Sequence, residues 1–159
     1  MVRRYPLSKK EKKKLISSLK SLYPGISIDK NSLIEYVEEK DVGKMIVVDG
    51  VPAFILVDDR MIPHLKYLLK HGYEWLPYVV VDMGAVKPLL NGADIMVPGI
   101  RRIVGEFGPG DIVVVVDEKY GKPFVVGTAL MSSSEIEKAS RGKAIRNIHR
   151  VGDKYWRML

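Results

Sequence analysis

The side chains best suited to catalysis or metal binding are few and scattered along this chain. His64 and His71 lie seven residues apart in a predicted helix, about two turns, which is too far for both to bind one metal ion. We interpret these two and His149 as surface residues or as residues with satisfied polar contacts. Asp58 and Asp59 are adjacent, so on a strand their carboxylates would point to opposite faces, and turn formation explains them better. We therefore expect no catalytic residue and no metal site.

Two further features limit the chemistry of the chain. It contains no cysteine, which excludes disulfides, thiolate zinc sites and cysteine nucleophiles. The glycine-rich residues 105–110 (GEFGPG) match neither the dinucleotide-binding fingerprint nor a P-loop. No Ser-His-Asp arrangement is supported by the spacing. We expect neither enzyme activity nor a cofactor and interpret the chain as a binding module.

Positive charge is concentrated at the two ends of the chain, which has a formal net charge of +7. Residues 3–20 contain eight lysines and arginines against one acidic residue, and residues 141–159 contain six against one. Such clusters attract polyanions, because binding releases counterions from phosphates. A solvated helix face explains the N-terminal cluster as well as nucleic-acid contact does. Aromatic residues are interleaved with the C-terminal cluster, as base stacking requires, although Trp156 is more typical of a core residue.

The turn at Asn91-Gly92 is a second candidate for a binding surface. The stretch Val79–Ile100 is typical of an apolar strand, a short helix, this turn and a second strand. Gly92 follows Leu89-Leu90, where a residue in the left-handed conformation commonly ends a helix. A glycine there is either a plain helix cap, which is the commoner case, or a position that lets a sugar-phosphate approach the backbone closely. Pro88 either falls in the first turn of this helix or bends it.

The order of these features resembles the PUA domain, a small RNA-binding barrel named for pseudouridine synthases and archaeosine transglycosylases. The other shared signals are Gly110-Asp111 before four valines, Gly127 within an apolar strand and Gly152-Asp153, and the resemblance covers Leu76–Met158. It implies that the turn and the strand after it line an RNA groove. The close-approach wall of this groove would consist of Asn91, Gly92, Ala93, Asp94 and Met96. Phosphates would be neutralised by Lys87, Arg146, Arg150, Lys154 and Arg157.

The first part of the chain predicts an α+β domain over residues 1–74. A capping box at Ser8 and the apolar stripe that follows predict a helix that Pro24-Gly25 ends. Residues 32–40 fit either helix or strand. We favour a strand, because residues 45–48 and 53–57 predict a hairpin through Asp49-Gly50 and so complete three antiparallel strands. Met61–His71 predicts a helix with one apolar face.

The second part predicts a β-dominated PUA pseudo-barrel over residues 75–159, so the fold class is α+β. A short helix capped by Ser132 interrupts the strands, and Gly127 marks a sharp bend. Trp75 and Leu76 at the junction are expected to be packed, holding the two domains rigidly together. The predicted strands are Tyr78–Val81, Ile95–Val97, Ile112–Val116, Phe124–Leu130, Ala144–Val151 and Tyr155–Met158.

Together, the two parts resemble the malignant-T-cell-amplified-sequence family and its archaeal relatives. That resemblance implies a role in translation initiation, re-initiation or recycling, with tRNA or rRNA as ligand and with the small ribosomal subunit and a translation-factor protein as partners. Two alternatives stay open: an RNA-targeting subunit of a tRNA-guanine transglycosylase or pseudouridine synthase, and a protein-interaction module with an acidic partner. The absence of a membrane span, a signal-peptide core and cysteine predicts a cytoplasmic protein.

Overall fold

Two β-sheets and their helices make up the computed structural model, which describes residues 2–159. The first sheet is antiparallel throughout, with its strands in sequence order, and helices α1 and α2 accompany it. Its strands are β1 (Val2–Pro6), β2 (Ile34–Glu39), β3 (Gly43–Val48), β4 (Val51–Val57) and β5 (Arg60–Pro63). The helices are α1 (Lys9–Leu22) and α2 (Leu65–His71).

The three strands predicted for the first part are confirmed as β2, β3 and β4, and β1 and β5 extend the sheet at its two edges. Asp49 and Gly50 join β3 to β4 with positive φ at both residues, as a two-residue hairpin turn requires. Asp58 and Asp59 join β4 to β5 in the same way, which confirms that they form a turn.

The prediction of a helix over Met61–His71 was wrong in its first part. Ile62 and Pro63 belong to β5 and lie opposite Ile55 and Phe54 of β4. Pairing with the open edge of β4 outweighs the local helical periodicity. The helix α2 begins only after His64, whose ring nitrogen Nδ1 accepts a hydrogen bond from the backbone N–H of Lys66.

The second sheet is curled and barrel-like, with the strand order β7-β11-β10-β9-β6-β8 and a parallel pairing between β6 and β9. The fold class is therefore α+β, as the sequence predicts. The strands are β6 (Tyr78–Val81), β7 (Ile95–Met96), β8 (Ile100–Val104), β9 (Ile112–Asp117), β10 (Pro123–Ala129) and β11 (Lys143–Arg150). The helices are α3 (Val86–Leu90), α4 (Ser133–Lys138) and α5 (Lys154–Met158).

Two elements of this part differ from the sequence prediction. Strand β8 was not predicted, because Arg101 and Arg102 interrupt its apolar pattern, yet it pairs with β6 along its length. The strand predicted over Tyr155–Met158 is the helix α5. Asp153 caps this helix by accepting a hydrogen bond from the backbone N–H of Trp156, and that local bond decides against an extended chain.

Gly127 lies where β10 and β11 approach too closely for a side chain, as the predicted bend implies. A Cβ atom there would clash with the carbonyl oxygen of Arg146. The register between the two strands shifts between Val126 and Gly127, which is a β-bulge. Such a bulge bends the strand and increases the local twist of the sheet.

The two parts of the chain pack against each other through a shared hydrophobic core. Buried residues of β9 and β10, including Val114 and Val126, belong to the same cluster as Leu65 and Leu68 of α2. Leu76 at the junction is buried, as predicted. We call residues 2–74 the N-terminal half and residues 75–159 the C-terminal half. No helix within residues 2–159 combines the length and apolar character needed to span a bilayer.

Candidate nucleic-acid interface

The turn after α3 is a complete helix-ending motif. Gly92 has a φ of +99°, and its N–H donates to the carbonyl oxygen of Leu89 at 3.0 Å. The N–H of Ala93 donates to the carbonyl oxygen of Pro88 at 3.1 Å, which completes a Schellman motif. Pro88 lies in the first turn of α3, where it interrupts no helical hydrogen bond. Because both N–H groups are used within the turn, the turn permits close approach, but the backbone N–H groups of Gly92 and Ala93 are not free to bind a ligand.

Gly92 and Arg150 are brought together although they are far apart in sequence. A Cβ atom at Gly92 would lie 3.2 Å from Nη2 and 3.3 Å from Cζ of Arg150. The guanidinium group therefore rests on the surface that the glycine leaves open. Two residues predicted for the site on independent grounds, one from backbone conformation and one from charge, thus form one surface.

Asn147, which no sequence pattern indicated as a site residue, holds the turn against β11. Its side-chain amide donates to the carbonyl oxygens of Leu89 and Ala93, both at 2.9 Å. Its backbone N–H donates to Oδ1 of Asp94 at 3.0 Å. Lys143, also unpredicted as a site residue, lies with Nζ 3.6 Å from Oδ2 of Asp94. Asp94 therefore connects the turn to β11 and stabilises the candidate site.

The predicted cationic side chains are available to a ligand. Within residues 2–159, the structure shows no ion pair for the five predicted cations. All are exposed except Arg150, which is partly buried beside Gly92. These residues are Lys87, Arg146, Arg150, Lys154 and Arg157.

The five cations do not form one compact cluster. Lys154 and Arg157 lie on α5, and Met158 at the end of this helix packs against Val37, Met45 and Val47 of the N-terminal half. Trp156 is partly buried against the shared core, and its ring stacks on that of His64 at 6.4 Å between centroids. This contact favours the core role for Trp156 over a platform for bases.

A shallow apolar depression of about 200 Å³ adjoins the turn. Ala85, Pro88, Ala93 and the 45% exposed Met96 contribute to its lining. Ala93 in this lining follows Gly92, which the guanidinium group of Arg150 contacts. The depression therefore offers an apolar contact on the same turn as a position that attracts phosphate.

The histidines His64 and His149, expected to be scattered, are in contact and fully buried between the two halves. Their ring centroids lie 4.6 Å apart. The backbone N–H of Leu65 donates to Nε2 of His149 at 3.1 Å, and Nδ1 of His149 lies 2.9 Å from Oδ2 of Asp153. Nε2 of His64 lies 3.3 Å from the carbonyl oxygen of Tyr155. The expectation of satisfied polar contacts is thus confirmed for both rings.

Burial and hydrogen bonding act on the acid–base behaviour of this cluster in opposite ways. Burial lowers the pKa of His64 to about 3, and the adjacent His149 ring acts in the same direction. For Asp153, burial raises the pKa, but hydrogen bonds from His149, Trp156 and Arg150 outweigh it, and the net pKa is lowered. Among residues 2–159, no group of three or more His, Asp and Glu side chains could hold a metal ion.

Comparison with known families defines the class of the protein. The PUA domain family matches residues 77–151, and a domain of unknown function (DUF1947) matches residues 3–71. The crystal structure of a PUA domain protein from Aeropyrum pernix, a tartrate complex, superposes with a TM-score of 0.91 at 35% identity, covering 99% of this chain and 91% of that one. A hypothetical protein from Pyrococcus horikoshii gives 0.83 at 35% identity, over 98% and 99%.

Sequence relatives narrow the class to one family. An uncharacterized protein of Methanocaldococcus jannaschii is 44% identical over 159 residues, 97% of this chain and 95% of that protein. Translation machinery-associated protein 20 of Saccharomyces cerevisiae is 36% identical over 81% of this chain and 74% of its own. The chain belongs to the same family as translation machinery-associated protein 20, and it combines a PUA domain with an N-terminal DUF1947 domain. Human malignant T-cell-amplified sequence 2 is 38% identical over 60% of this chain and 54% of its own, which confirms the resemblance.

Proposed function

We propose that this protein is a non-catalytic, translation-associated RNA-binding protein that grips RNA at the surface formed by the Gly92 turn and β11. We call this surface the turn face and define it by Lys87, residues 91–96, Arg146 and Arg150. Family membership supports RNA binding as the function, and the names of the yeast relatives support an association with the translation machinery. Action in the cytoplasm is part of the same proposal.

The contact between Gly92 and Arg150 is the observation that carries this proposal. Arg150 makes no ion pair within residues 2–159, and its guanidinium group lies against a backbone surface that has no side chain. A phosphate that binds Arg150 would bring its sugar close to that surface. A guanidinium group suits phosphate recognition, because its planar donors form paired, charge-assisted hydrogen bonds.

We propose further that the RNA is presented as a single strand, with the acceptor end of tRNA as the favoured candidate. The apolar depression beside Ala93 and Met96 offers shelter to an unstacked base while Arg150 and Arg146 hold the neighbouring phosphates. Proteins read RNA largely through such splayed bases, because the major groove of an RNA duplex is too narrow for side chains. In a duplex, no base face would reach the depression.

Lys154 and Arg157 have a secondary place in this proposal. They lie on α5, which runs toward the N-terminal sheet, so we assign them to the flanking part of a longer RNA. An interaction with the small ribosomal subunit, or with a translation-factor protein, would extend over this side of the molecule.

Titration with three RNAs of similar length tests the proposal: intact tRNA, tRNA trimmed of its single-stranded acceptor end, and an rRNA hairpin. We expect intact tRNA to bind most tightly. Equal affinity for intact and trimmed tRNA would favour rRNA or nonspecific binding. Polyglutamate serves as competitor, and its displacement of tRNA at equal charge concentration would instead favour a module for acidic proteins. Loss of a tRNA modification on gene deletion would favour the enzyme-targeting alternative.

A further inference from the structure

A continuous run of hydrogen bonds joins the N-terminal half to the backbone beneath the turn face. It starts at Leu65, the first residue of α2, whose N–H donates to Nε2 of His149. It continues from Nδ1 of His149 to Oδ2 of Asp153. The Asp153 carboxylate then accepts hydrogen bonds from the N–H groups of Arg150 and Trp156, both at 2.9 Å.

The direction of each bond in this run is determined by chemistry. A backbone N–H only donates, so Nε2 of His149 accepts from Leu65 and the ring proton lies on Nδ1. Nδ1 therefore donates to Asp153. The carboxylate is left with acceptor sites only, and these meet the two backbone donors on either side of the turn from β11 to α5. The other tautomer, with the proton on Nε2, would bring two donors together at Leu65.

The residues at the far end of the run are those assigned to RNA. The bond at Arg150 fixes the backbone from which its guanidinium group reaches Gly92. The bond at Trp156 fixes the first turn of α5, which carries Lys154 and Arg157. The side chain of His149 is fully buried and does not reach solvent.

We propose that His149 is a positioning residue, through which the N-terminal half sets the orientation of Arg150 and α5 for RNA binding. This inference rests on the proposed function of the turn face and extends it. This effect of the N-terminal half requires no contact between that half and the RNA. Because the bonds are buried and directional, loss of either one leaves a polar group without a partner and loosens the turn.

Two substitutions in the full chain separate the two bonds of His149. In His149→Gln the side-chain oxygen reaches the position of Nε2, so it keeps the bond from Leu65 and loses the donor to Asp153. In His149→Asn the amide nitrogen replaces Nδ1, so it keeps the donor and loses the acceptor for Leu65. Ile46→Val, a mild change in the shared hydrophobic core that removes none of these hydrogen bonds, is the matched control for loss of stability.

The first measurement needs no RNA. We expect amide hydrogen exchange at Arg150 and Trp156 to be about tenfold faster in both His149 variants, the change that corresponds to loss of roughly one hydrogen bond. Exchange at these two amides should be unchanged in Ile46→Val. Unchanged exchange in either His149 variant overturns the proposal. This outcome does not depend on whether the turn face binds RNA.

The second measurement compares tRNA affinity and its salt dependence at a temperature where all variants are folded. We expect both His149 variants to bind about five- to tenfold more weakly, with a smaller salt slope, as in Arg150→Ala. A merely structural role would leave the slope unchanged. If only His149→Gln binds weakly, Asp153 alone orients the site and coupling to the N-terminal half is wrong. If Arg150→Ala binds like the wild type, the proposed function fails instead.

Discussion

The two basic ends of the chain carry similar charge but hold it in different ways. On α1 the lysines project from the solvent side of an amphipathic helix, because Ile16 and Leu19 are buried on the other side. On β11 and α5 the cations extend from a backbone that Asp153 fixes on both sides of a turn. The C-terminal set is therefore preorganised, whereas the N-terminal set is mainly a solvated surface.

This difference separates attraction from recognition. Mobile lysines attract any polyanion and lose conformational entropy when a phosphate immobilises them. Arg150 loses less conformational entropy on binding, because its backbone is fixed and its guanidinium group already rests on Gly92. Lys12 is the exception on α1, since its Nζ donates to the carbonyl oxygen of Ser32 at 2.9 Å. We therefore expect the N-terminal end to raise RNA affinity generally and the C-terminal end to determine which RNA binds.

The largest effect should come from lowering the pH, which destabilises the buried cluster of His64, His149 and Asp153 behind the C-terminal set. His64 has a pKa of about 3 in the folded protein against 6.5 as the ordinary value, so the unfolded state binds more protons between these limits. Stability should be complete above about pH 6.5 and fall as the pH decreases, by at most about 1.4 kcal/mol per pH unit from this group. The lowered pKa of Asp153 adds a loss in the same direction.

Urea unfolding at a series of pH values measures this dependence, and His64→Gln is the comparison. The variant should have a flatter profile between about pH 6 and pH 4, because one of the titrating groups is gone. Parallel profiles for the two proteins would show that His64 is not the group responsible.

Gly92→Val should have the next largest effect. The left-handed conformation at a φ of +99° disfavours a β-branched residue and costs on the order of 1–3 kcal/mol of stability. The new side chain would also displace the guanidinium group of Arg150. We expect tRNA affinity to fall by more than about tenfold while circular dichroism still reports a folded protein. Gly92→Ala is the gentler control, and wild-type affinity in folded Gly92→Ala would make the glycine a helix cap alone.

Arg150→Ala should have an intermediate effect. From ~3–5 phosphate contacts with single-stranded RNA we expect a log–log salt slope of roughly −2 to −3.5. Removing Arg150 should make the slope shallower by a little under one unit and leave stability almost unchanged. Arg60→Ala removes the same charge from an exposed position on β5 and should leave the slope at the wild-type value. Equal changes in the two variants would mean that overall charge, and not the turn face, drives binding.

The smallest effect should come from the exposed lysines of α1. Deleting residues 1–14 would also remove β1 and part of α1, so substitution is the cleaner test. We expect the fourfold change of Lys9, Lys10, Lys13 and Lys14 to glutamine to preserve the helix and to weaken tRNA binding only modestly, about threefold, with unchanged preference among RNAs. A changed preference would move part of the recognition to the N-terminal half.

Local signals in the sequence predicted a large part of this fold. Gly92 and Asp49-Gly50 adopt the conformations expected of them, and Ser132 caps α4 with Glu135 as its partner. Each of these features depends on interactions within a few residues. The family resemblance predicted the barrel, and the pattern of apolar segments predicted most of its strands.

What the sequence did not predict depends on contacts between distant residues. The edge pairing that makes Arg60–Pro63 a strand comes from β4, and the contact of His64 with His149 exists only because the two halves pack together. Asn147 was missed because an asparagine on a strand gives no sign that two carbonyl groups will lie within its reach. The juxtaposition of Gly92 and Arg150 likewise follows from the curl of the second sheet.

Photo-crosslinking tests the central claim most directly. A tRNA carrying thiouridine in its single-stranded acceptor end is crosslinked to the full chain, and the attached peptides are identified by mass spectrometry. The turn face predicts crosslinks within residues 87–96 and 143–150. Crosslinks confined to residues 9–20, or equal crosslinking to a thiouridine placed in a duplex stem, would contradict it.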